Sequence, residues 1–567
     1  MAVMWAATFA YLSVVRHLAG GSHAEDLGFT DQVLWNFLPP RDQWFRMSLY
    51  QGAATWNTEL DLSHIARPDS LLAFHVEPML LAFVPLYALG AGATMLLLIQ
   101  AAAVAAGALP AFRLARHLCQ SPRCGVAVAA AYLLSPLGQW AVLADFHTST
   151  LAAPLLLFSL ERLVVGRAPR QALLLAALAC SAREDVGPAV ACIGIALLLR
   201  RHRIGLGYVA IGTAWTILAL LVIRNYSGGF SPFSGRYSSD LTTLVQPTVV
   251  SYVTTLLLSG GWLGLLAPLA LLPALPSLAL NVLSTSPWMA SGQAHYSGLV
   301  LPFVTVGAAA GLSRFRRHPR LLMTASVALI ATTVMTYLSA GAGPLGGNYA
   351  PARVTDHAAL ANTIAAEIPP SAGVSASSSL VPHLSHRARV YVFPAVLDAD
   401  YVYVDLTASP APTSAGDVYL RAQSMLSSGE WNVAREEDGL LLLEHSPTSL
   451  DAATGVDGAR PNDAPATTES PHLLSAALVP SPDAAVGVDG PHWILRTVWQ
   501  TDQPLPSSTR LEFTINLRSG EQLRIWDIAP LWWDPPDQWP ANQPVNVDVP
   551  DVPMREFVSW SATWSMP

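Results

Sequence analysis

The feature that most constrains this 567-residue chain is a series of long apolar segments within its first 340 residues. A segment of roughly 20 apolar residues can span a bilayer as a helix, and shorter segments are tolerated where neighbouring helices shield them. The segments that meet this pattern are 1–16, 92–112, 125–142, 149–165, 170–182, 186–199, 204–223, 246–259, 262–283, 297–312 and 321–339. The sequence therefore predicts a mainly α, polytopic membrane bundle of about eleven transmembrane helices over residues 1–340.

The distribution of arginine predicts how this bundle is oriented, because short Arg-rich loops stay on the cytoplasmic side. The arginines of alternate loops are Arg113, Arg116 and Arg123, then Arg162, Arg167 and Arg170, then Arg200, Arg201 and Arg203, then Arg314, Arg316, Arg317 and Arg320. We therefore expect an integral, multi-pass plasma-membrane protein with a cytoplasmic N-terminus. The first segment lacks a basic flank and a small-residue cleavage site, so we expect a retained anchor.

Beyond residue 340 the sequence has the composition of a water-soluble protein. Alternating helix and strand patterns over 341–446 predict an extracytoplasmic α/β domain with a partly parallel sheet. Residues 447–490 are rich in Pro, Ala, Asp, Thr, Ser and Gly, which is typical of a flexible linker. Short β-like runs over 491–567 predict a small β-sandwich. Four of its tryptophans could form a sugar-stacking face, although packing in the core is the commoner role: Trp526, Trp532, Trp533 and Trp539.

Charge and cysteine content exclude two classes of protein. The formal net charge is -8, and no basic surface suited to a phosphate backbone is present, so we expect no nucleic-acid partner. The four cysteines fall in or beside apolar segments, which excludes a disulfide scaffold. A lone pair such as Cys119 and Cys124, without further Cys or His at ligand spacing, is also a poor zinc site.

Ionisable and aromatic polar residues collect in the loops opposite the arginine-rich ones. Ionisable side chains at membrane ends are inexpensive only where they meet water, one another or a ligand. Their collection on one side predicts a cavity there, beside a short apolar segment at 78–90 that we expect to be a re-entrant or interfacial helix. The expected cavity-lining residues are Asp31, His75, Glu77, Glu184, Asp185, Tyr237, His295 and Tyr296.

A family resemblance is carried by six stretches of this sequence. They are EDLGFTDQVLWNF (25–37), HVEP (75–78), ADFHTSTLAAPLLLFSLERL (144–163), ARED (182–185), QAHYSGLVLPF (293–303) and IPPSAGVSASSSLVPHLSHRARVYVFP (368–394). These stretches resemble a family of prokaryotic polytopic membrane proteins defined as a domain of unknown function. That family looks like a branch of the C-type (GT-C) glycosyltransferase superfamily, and the resemblance covers roughly residues 1–445.

The resemblance implies a transferase that takes a sugar from a polyprenyl-phosphate donor at the outer surface of the lipid bilayer. The acceptor would be a protein or an envelope glycan. The superfamily's usual acidic residue in the first outward loop corresponds here to Asp26, with Glu25 as its partner. A carboxylate within hydrogen-bond reach of the acceptor hydroxyl would act as the general base.

Two further roles follow from residue chemistry. Arg183 and Arg236 are expected to bind the donor phosphate, because a guanidinium binds phosphate oxygens in pairs; for Arg183 an ion pair within its own loop is the alternative. Asp145 and His147 form a D-x-H pair, a spacing that can chelate Mg²⁺ or Mn²⁺ with an acid from another loop. The repeated acidic pair of metal-dependent oligosaccharyltransferases is absent from the sequence, so a hydrogen-bonded structural pair is the alternative.

Two non-enzymatic functions remain as alternatives to the glycosyltransferase. One is a membrane carrier or assembly protein for cell-envelope polysaccharide, and the other is a scaffold whose C-terminal domains bind partners. A transporter is expected to have polar residues near mid-membrane and an internal repeat. This sequence has few mid-span charges and no clear repeat, which favours a site at the membrane surface.

Overall fold

The computed structural model describes residues 1–49, 68–228, 235–238, 240–411, 413–446, 471–480, 492–506, 509–553 and 556–565. These residues form two compact units. The first unit comprises Met1–His17, Thr30–Met47 and Pro68–Pro351, and the second includes Leu18–Phe29 and the chain from Ala352 onward. The predicted domain 1–340 is therefore interrupted, because residues 18–29 pack with the C-terminal region.

The first unit is helical, with short 3₁₀ and π turns between the α-helices. The helices are α1 (Ala2–Leu18), α2 (Phe29–Asn36), α3 (Val84–Ala88), α4 (Ala93–Ala106), α5 (Ala108–Cys119), α6 (Pro122–Leu134), α7 (Pro136–Leu143), α8 (Thr148–Val164), α9 (Pro169–Cys180), α10 (Val186–Leu199), α11 (Gly205–Tyr226), α12 (Pro247–Leu256), α13 (Trp262–Gly264), α14 (Pro268–Leu271), α15 (Leu275–Val282), α16 (Pro287–Ala290), α17 (Leu301–Leu312) and α18 (Pro319–Ala340). Every predicted apolar segment thus contains helix. The short apolar segment at 78–90 is a 3₁₀ turn followed by α3.

Three helical stretches of the described chain are long and apolar enough to cross a membrane: Ala93–Cys119, Gly205–Tyr226 and Pro319–Ala340. The number rises to five if two bent helix pairs each form one span, namely Pro122–Leu134 with Pro136–Leu143 and Pro287–Ser297 with Leu301–Phe315. The described residues therefore contain three to five candidate spans, and the predicted eleven are not confirmed. Other apolar helices have 10–17 residues, or roughly 15–26 Å at the α-helical rise, against a hydrocarbon core of about 30 Å.

Proline accounts for several of these interruptions. Pro136 begins α7 two residues after α6 ends, and the chain bends by 44° between the two helices. Proline has no amide hydrogen and its ring clashes with the preceding turn, so it favours a helix start over a helix interior. The predicted span 262–283 contains Pro268, Pro273 and Pro276 and forms three short helices, α13 to α15. An average of hydropathy over the segment does not register these breaks.

The core of the first unit forms where α5, α6, α17 and α18 pack together. Its buried side chains are small or medium-sized, among them Ala111, Val128, Ala308 and Leu329. Small residues let helix backbones approach closely, which is how apolar helices associate without a hydrophobic difference from their surroundings. At Gly311 an added Cβ would lie 2.0 Å from the Leu263 carbonyl oxygen, so only glycine permits this approach.

Basic and mixed polar residues lie at opposite ends of α8. Near its C-terminal end Glu161 lies 3.0 Å from Arg162 and 3.9 Å from Arg113, joining two of the arginine-rich loops. Its N-terminal end follows directly on His147. A helix of 17 residues is about 25 Å long, so these two groups of residues lie about that far apart along α8.

The second unit contains a five-stranded mixed sheet. Its elements are α19 (Asp356–Glu367), β1 (Val374–Ala376), α20 (Val381–Leu384), β2 (Val390–Val392), β3 (Tyr401–Asp405), α21 (Ala415–Ser427), β4 (Trp431–Glu437) and β5 (Leu440–His445). The strand order is β2-β1-β3-β5-β4. Strand β1 runs parallel to β2 and β3, whereas β5 is antiparallel to β3 and β4. The predicted partly parallel sheet over 341–446 is therefore present.

The rest of the second unit is a pair of three-stranded antiparallel sheets. Its elements are β6 (His472–Pro480), β7 (His492–Gln500), β8 (Arg510–Leu517), β9 (Gln522–Ile525), α22 (Ala529–Trp533), β10 (Pro544–Pro553) and β11 (Phe557–Ser565). The orders are β10-β7-β6 and β11-β8-β9, and Leu495, Phe513 and Val547 from the two sheets share one core. Strand β6 lies inside the predicted linker 447–490. This part of the linker prediction was wrong, because its apolar residues pair with β7; the remainder lies outside the described residues.

Three of the four highlighted tryptophans have packing roles. Trp539 is 2% exposed in the sandwich core. Trp533 packs on the core of the mixed sheet, and Trp532 donates a hydrogen bond to Asp527 at 2.7 Å. Only Trp526 of the four is largely exposed, at 53%. These positions do not form a common sugar-stacking face.

Candidate functional site

Three of the predicted outward loops are tied together at the N-terminal end of α8. The Thr148 hydroxyl donates to the carbonyl oxygen of Ala182 at 2.6 Å, which joins the D-x-H loop to the ARED loop. The backbone N–H of Met79 donates to the carbonyl oxygen of Ser181 at 2.9 Å, which joins the HVEP loop to the same place. The side chains of these loops, together with His295, which stacks on His147, form what we call the polar cluster: His75, Glu77, His147, Arg183, Glu184, Asp185 and His295.

At the centre of the polar cluster His75 is paired with Glu184. The His75 Nδ1 lies 2.8 Å from one carboxylate oxygen of Glu184, and the other oxygen accepts the backbone N–H of Val76 at 3.1 Å. Both oxygens of Glu184 are thus anchored. The His75 side chain keeps 30% of its surface, and among the described residues its Nε2 makes no hydrogen bond. One ring nitrogen is held and the other is available to a ligand.

The electrostatics of this pair favour the charged form of both partners. Burial on its own would lower the pKa of His75, but the Glu184 carboxylate outweighs it and raises that pKa above its ordinary value. Burial would likewise raise the pKa of Glu184, but the neighbouring His75 brings it below the ordinary value. Both shifts favour the charged forms, an imidazolium held by a carboxylate, and in that form the accessible Nε2 carries a proton.

Glu77 is a second carboxyl group in the polar cluster, with a different environment. It is 7% exposed and makes no hydrogen bond through its side chain within the described part of the chain. Burial raises the pKa of Glu77, opposed by the charges of His75 and Arg183. A desolvated carboxylate without hydrogen-bond partners is a stronger base than a solvated one. Of the three carboxyl groups in the polar cluster, Glu77 is thus the one suited to accept a proton, because Glu184 is bonded to His75 and Asp185 to Arg183.

Arg183 is engaged within its own loop. Its Nε donates to Asp185 at 3.0 Å and its Nη2 donates to the other oxygen of the same carboxylate. Burial on its own would lower the pKa of Arg183, but the ion pair with Asp185 outweighs it and raises that pKa. The alternative predicted for Arg183 is therefore present. Because one edge of the guanidinium faces Asp185, a phosphate contact must use Nη1 or displace that carboxylate.

Three of the other predicted cavity residues, Tyr237, His295 and Tyr296, have interactions with this centre or with His147. The ring of His147 stacks on that of His295 at 3.5 Å between centroids, and Tyr296 is 4.0 Å from His295. The backbone of Arg236 accepts the N–H of Thr285 at 2.9 Å. This places the adjacent Tyr237, 36% exposed, within electrostatic range of Arg183, Glu184 and Asp185.

The D-x-H pair does not converge on a common point as a chelate would. The Asp145 carboxylate lies 2.7 Å from Nη1 of Arg16, and the Nδ1 of His147 lies 2.7 Å from the backbone oxygen of Asp145. Across the described residues no group of three or more His, Cys, Asp or Glu side chains could hold a metal ion. Asp145 is engaged by Arg16, and His147 is engaged by its own loop. The hydrogen-bonded structural pair is the arrangement observed.

Three residues that sequence reasoning missed position this end of the unit. Gln100 on α4 accepts the N–H of His147 at 2.8 Å and lies 3.3 Å from four carbonyl oxygens of the α7–α8 connection. Arg16 holds Asp145, and the Tyr87 hydroxyl donates to the buried Asp31 at 2.5 Å. Gln100 had a detectable signal, because a lone amide within an apolar helix requires partners. The partner of Asp145 had none, since it lies 129 residues away.

The predicted catalytic pair belongs to the second unit. Glu25 and Asp26 lie in a π turn, Ala24–Gly28, a distortion that often occurs at functional sites. The backbone N–H of Ala24 donates to the carbonyl oxygen of Ser378 at 2.9 Å, and the Ser378 hydroxyl donates to Glu25 at 2.6 Å. Glu25 is thus a positioned residue, and Asp26 is half-buried beside it.

The chain was compared with protein-family models, with curated proteins and with solved structures, among which eight chains match. No curated protein matches the chain. The structure of the arabinofuranosyltransferase AftD from Mycobacteria matches with 13% identity and a TM-score of 0.40, over 100% of this chain and 60% of that one. The chain thus spans about three fifths of AftD, and a likeness at this TM-score assigns neither fold nor activity. A family model described as "Predicted membrane protein (DUF2079)" matches residues 22–442, most of the chain, and the protein therefore belongs to this family of predicted membrane proteins.

Proposed function

We propose that this protein is a C-type membrane glycosyltransferase that moves a sugar from a polyprenyl-phosphate donor to an extracytoplasmic protein or envelope glycan. The observation that carries the proposal is the polar cluster, in which an imidazolium with a free N–H, a guanidinium and a desolvated carboxyl lie together at one end of an apolar helical unit. A substrate with a phosphate head and an isoprenoid tail matches that combination of charge and apolar surface.

The transfer requires a proton acceptor. In an inverting reaction the acceptor hydroxyl oxygen attacks the anomeric carbon, and the bond from that carbon to the phosphate oxygen breaks with its electron pair on the phosphate. The hydroxyl proton passes to a carboxylate, a step that contributes typically 10²–10⁴-fold. Asp26 is the base that the family resemblance implies. Glu77 is the carboxyl whose burial and lack of hydrogen bonds favour the same role.

The transfer also requires stabilisation of the leaving group. Charge develops on the phosphate oxygen as the glycosidic bond breaks, and a preorganised cationic donor lowers that barrier. His75 meets this requirement because Glu184 fixes its ring and leaves the Nε2–H to the ligand. Arg183 and Arg236 would supply further positive charge beside it. The steps proposed here use protein side chains alone, because Asp145 is paired with Arg16.

The test is sugar transfer by the purified protein in lipid nanodiscs, with a labelled polyprenyl-phosphate-sugar pool. We expect transfer by the wild type and its loss in either Asp26→Ala or Glu77→Gln, according to which carboxylate is the base. Asp240→Ala, an exposed loop carboxylate, is the matched control and is expected to transfer normally. Parallel reactions with a chelator measure any dependence on a divalent ion.

The opposite result would favour the alternative function. If folded wild-type protein binds the lipid-linked sugar but neither transfers nor hydrolyses it, the polar cluster is a recognition site. The protein would then be a non-catalytic carrier or assembly protein for cell-envelope polysaccharide. Binding of the donor measured by tryptophan fluorescence separates this outcome from loss of substrate recognition.

A further inference from the structure

We propose that the second unit contains a binding site for a short uncharged saccharide, in a cleft between its mixed sheet and its β-sandwich. The cleft encloses about 720 Å³ of empty space, open solvent included. Its residues come from α19, the segment after β3, the start of α20 and the β-sandwich. None of them belongs to the polar cluster, so the inference goes beyond the proposed transfer and does not depend on it.

A buried hydroxyl without a partner marks the inner wall of this cleft. Ser379 is 4% exposed, and among the described residues its Oγ makes no hydrogen bond. Such hydroxyls are uncommon in folded proteins, because a lost hydrogen bond to water has not been replaced. The two preceding serines are both satisfied: Ser377 accepts the N–H of Asp405, and Ser378 donates to Glu25. Of these three serine hydroxyls, that of Ser379 is the one without a partner among the described residues.

The other polar groups of the cleft are preorganised. His357 lies 3.1 Å from Asp405 and 3.1 Å from the hydroxyl of Thr407, which also donates to Asp405. Asn362 donates through Nδ2 to the carbonyl oxygen of Leu18 at 2.9 Å, and its Oδ1 makes no hydrogen bond within the described residues. Fixed partners of this kind bind a ligand without a large ordering cost.

The β-sandwich side of the cleft is shaped by an irregular strand. The pairing of β10 with β7 shifts register between Val549 and Val552. This β-bulge turns Pro550 and Asp551 toward the cleft, where both line it. Asp551 has a φ of 59°, a left-handed conformation that Asp adopts more readily than most non-glycine residues. The bulge therefore adds a carboxylate to the rim.

The chemistry of the lining selects a neutral polyhydroxylated ligand. The His357 imidazolium is bonded to two carboxylates, Asp405 and Asp438, and no arginine of the described chain lines the cleft. An anionic ligand such as a phosphate or a uronate would therefore meet net negative charge. Serine, threonine, amide and carboxylate groups pair with sugar hydroxyls, while small side chains such as Ala358 and Ala361 offer room for the C–H face of a ring.

The experiment is a binding titration of the full chain in nanodiscs with a panel of neutral mono- and disaccharides, followed by saturation-transfer NMR. We expect at least one neutral sugar to bind. Removing the hydroxyl in Ser379→Ala should weaken binding by about fivefold to tenfold, the value of one neutral hydrogen bond. Ser409→Trp, at the rim, should block binding sterically without altering the buried wall. Ser371→Ala, exposed and outside the cleft, is the matched control.

Three results would overturn the inference. The first is that folded wild-type protein binds no sugar of the panel, and the second is that Ser379→Ala and Ser409→Trp bind as well as the wild type. The third is preferential binding of a hexuronate or of a neutral tripeptide. His75→Ala is expected to bind the sugar normally, so a failure of the proposed transfer remains distinguishable from a failure of this site.

Discussion

His75 in the first unit and His357 in the second are both paired with carboxylates, but they differ in what they leave unused. One ring nitrogen of His75 is bonded to Glu184, and the other makes no hydrogen bond among the described residues. His357 has both nitrogens engaged, Nδ1 with Asp438 at 2.9 Å and Nε2 with Asp405 at 3.1 Å. A histidine whose nitrogens are both engaged has no ring N–H left to donate to a leaving group. One with a nitrogen to spare can also bind or donate a proton to a ligand.

The polar groups around the two histidines differ in the same way, in how many of their hydrogen-bonding positions are occupied. The polar cluster also contains Glu77, a buried carboxyl with no hydrogen bond within the described residues, and Arg183, whose second edge is not committed to Asp185. Around His357, by contrast, Asp405 also accepts the backbone N–H groups of Thr407 and Ala408. Buried polar groups without hydrogen-bond partners lower the stability of the fold, and such groups are typical of sites where chemistry occurs.

The largest expected effect is on turnover. His75→Ala should lower kcat/KM for sugar transfer by roughly 10²–10⁴-fold, because the leaving phosphate loses its cationic hydrogen-bond donor. The thermal unfolding temperature of the same variant should fall as well, because the buried Glu184 is left without its cationic partner. The measurement is steady-state transfer at a temperature at which each variant is folded, together with its melting curve. His357→Ala is the matched control and should keep normal turnover while its melting temperature falls.

The comparison fails if the two variants behave alike. Equal loss of turnover in His357→Ala would mean that the second unit takes part in the chemistry. Normal turnover in His75→Ala, with the protein folded, would leave its imidazolium without a catalytic role.

The next effect concerns pH. The hydrogen bond to Asp405, helped by Asp438 and opposed by burial, raises the pKa of His357 to about 9 from an ordinary value of 6.5. A raised pKa means that the folded state holds the proton more tightly, so its contribution is complete below pH 6.5 and is lost as pH rises through 9. The free energy of unfolding involved is at most about 3 kcal/mol. The difference in melting temperature between wild type and His357→Gln should therefore shrink between pH 6.5 and pH 9. A difference that stays constant over this range would contradict the prediction.

A smaller effect is expected when one partner of His357 is neutralised. The Asp405 side chain is 10% exposed and accepts several hydrogen bonds. Asp405→Asn should lower the free energy of unfolding by about 1.5–3 kcal/mol, the value of hydrogen bonds to a charged, largely buried group. Hydrogen exchange of the amides in α19 reports the opening of this region directly. Protection of α19 equal to that of the wild type would show that the Asp405 charge is not needed.

The sequence predicts the helices better than it predicts the spans. The apolar segments are visible because burial and helical periodicity act on neighbouring residues. The length of an uninterrupted helix depends on single residues such as Pro136 and Pro268, which a hydropathy window averages away. The mixed sheet was predictable for the same local reason, whereas β6 was missed because its partner β7 lies beyond a polar segment.

The candidate site shows the same limit. The sequence indicates which loops carry polar residues, and the structure brings His75, Glu77, Arg183 and Glu184 together. Which of them remain available is decided by partners distant in sequence. Glu184 meets His75 across 109 residues, and Asp145 meets Arg16 across 129. Both carboxylate oxygens of Glu184 accept hydrogen bonds, whereas those of Glu77 accept none among the described residues. No local sequence pattern distinguishes the two.

The smallest expected effect comes from the second partner of His357. The Asp438 side chain is 61% exposed, so water and salt screen its interaction with the imidazolium. Asp438→Asn should therefore lower the free energy of unfolding by less than about 1 kcal/mol, well below the effect of Asp405→Asn although the two hydrogen bonds are of similar length. Melting curves of both variants at low and high salt provide the measurement, and salt should reduce only the small effect. If Asp438→Asn proved as destabilising as Asp405→Asn, the different burial of the two carboxylates would not account for their contributions to stability. The difference between His357 and His75 would then have to be explained by hydrogen-bond geometry alone.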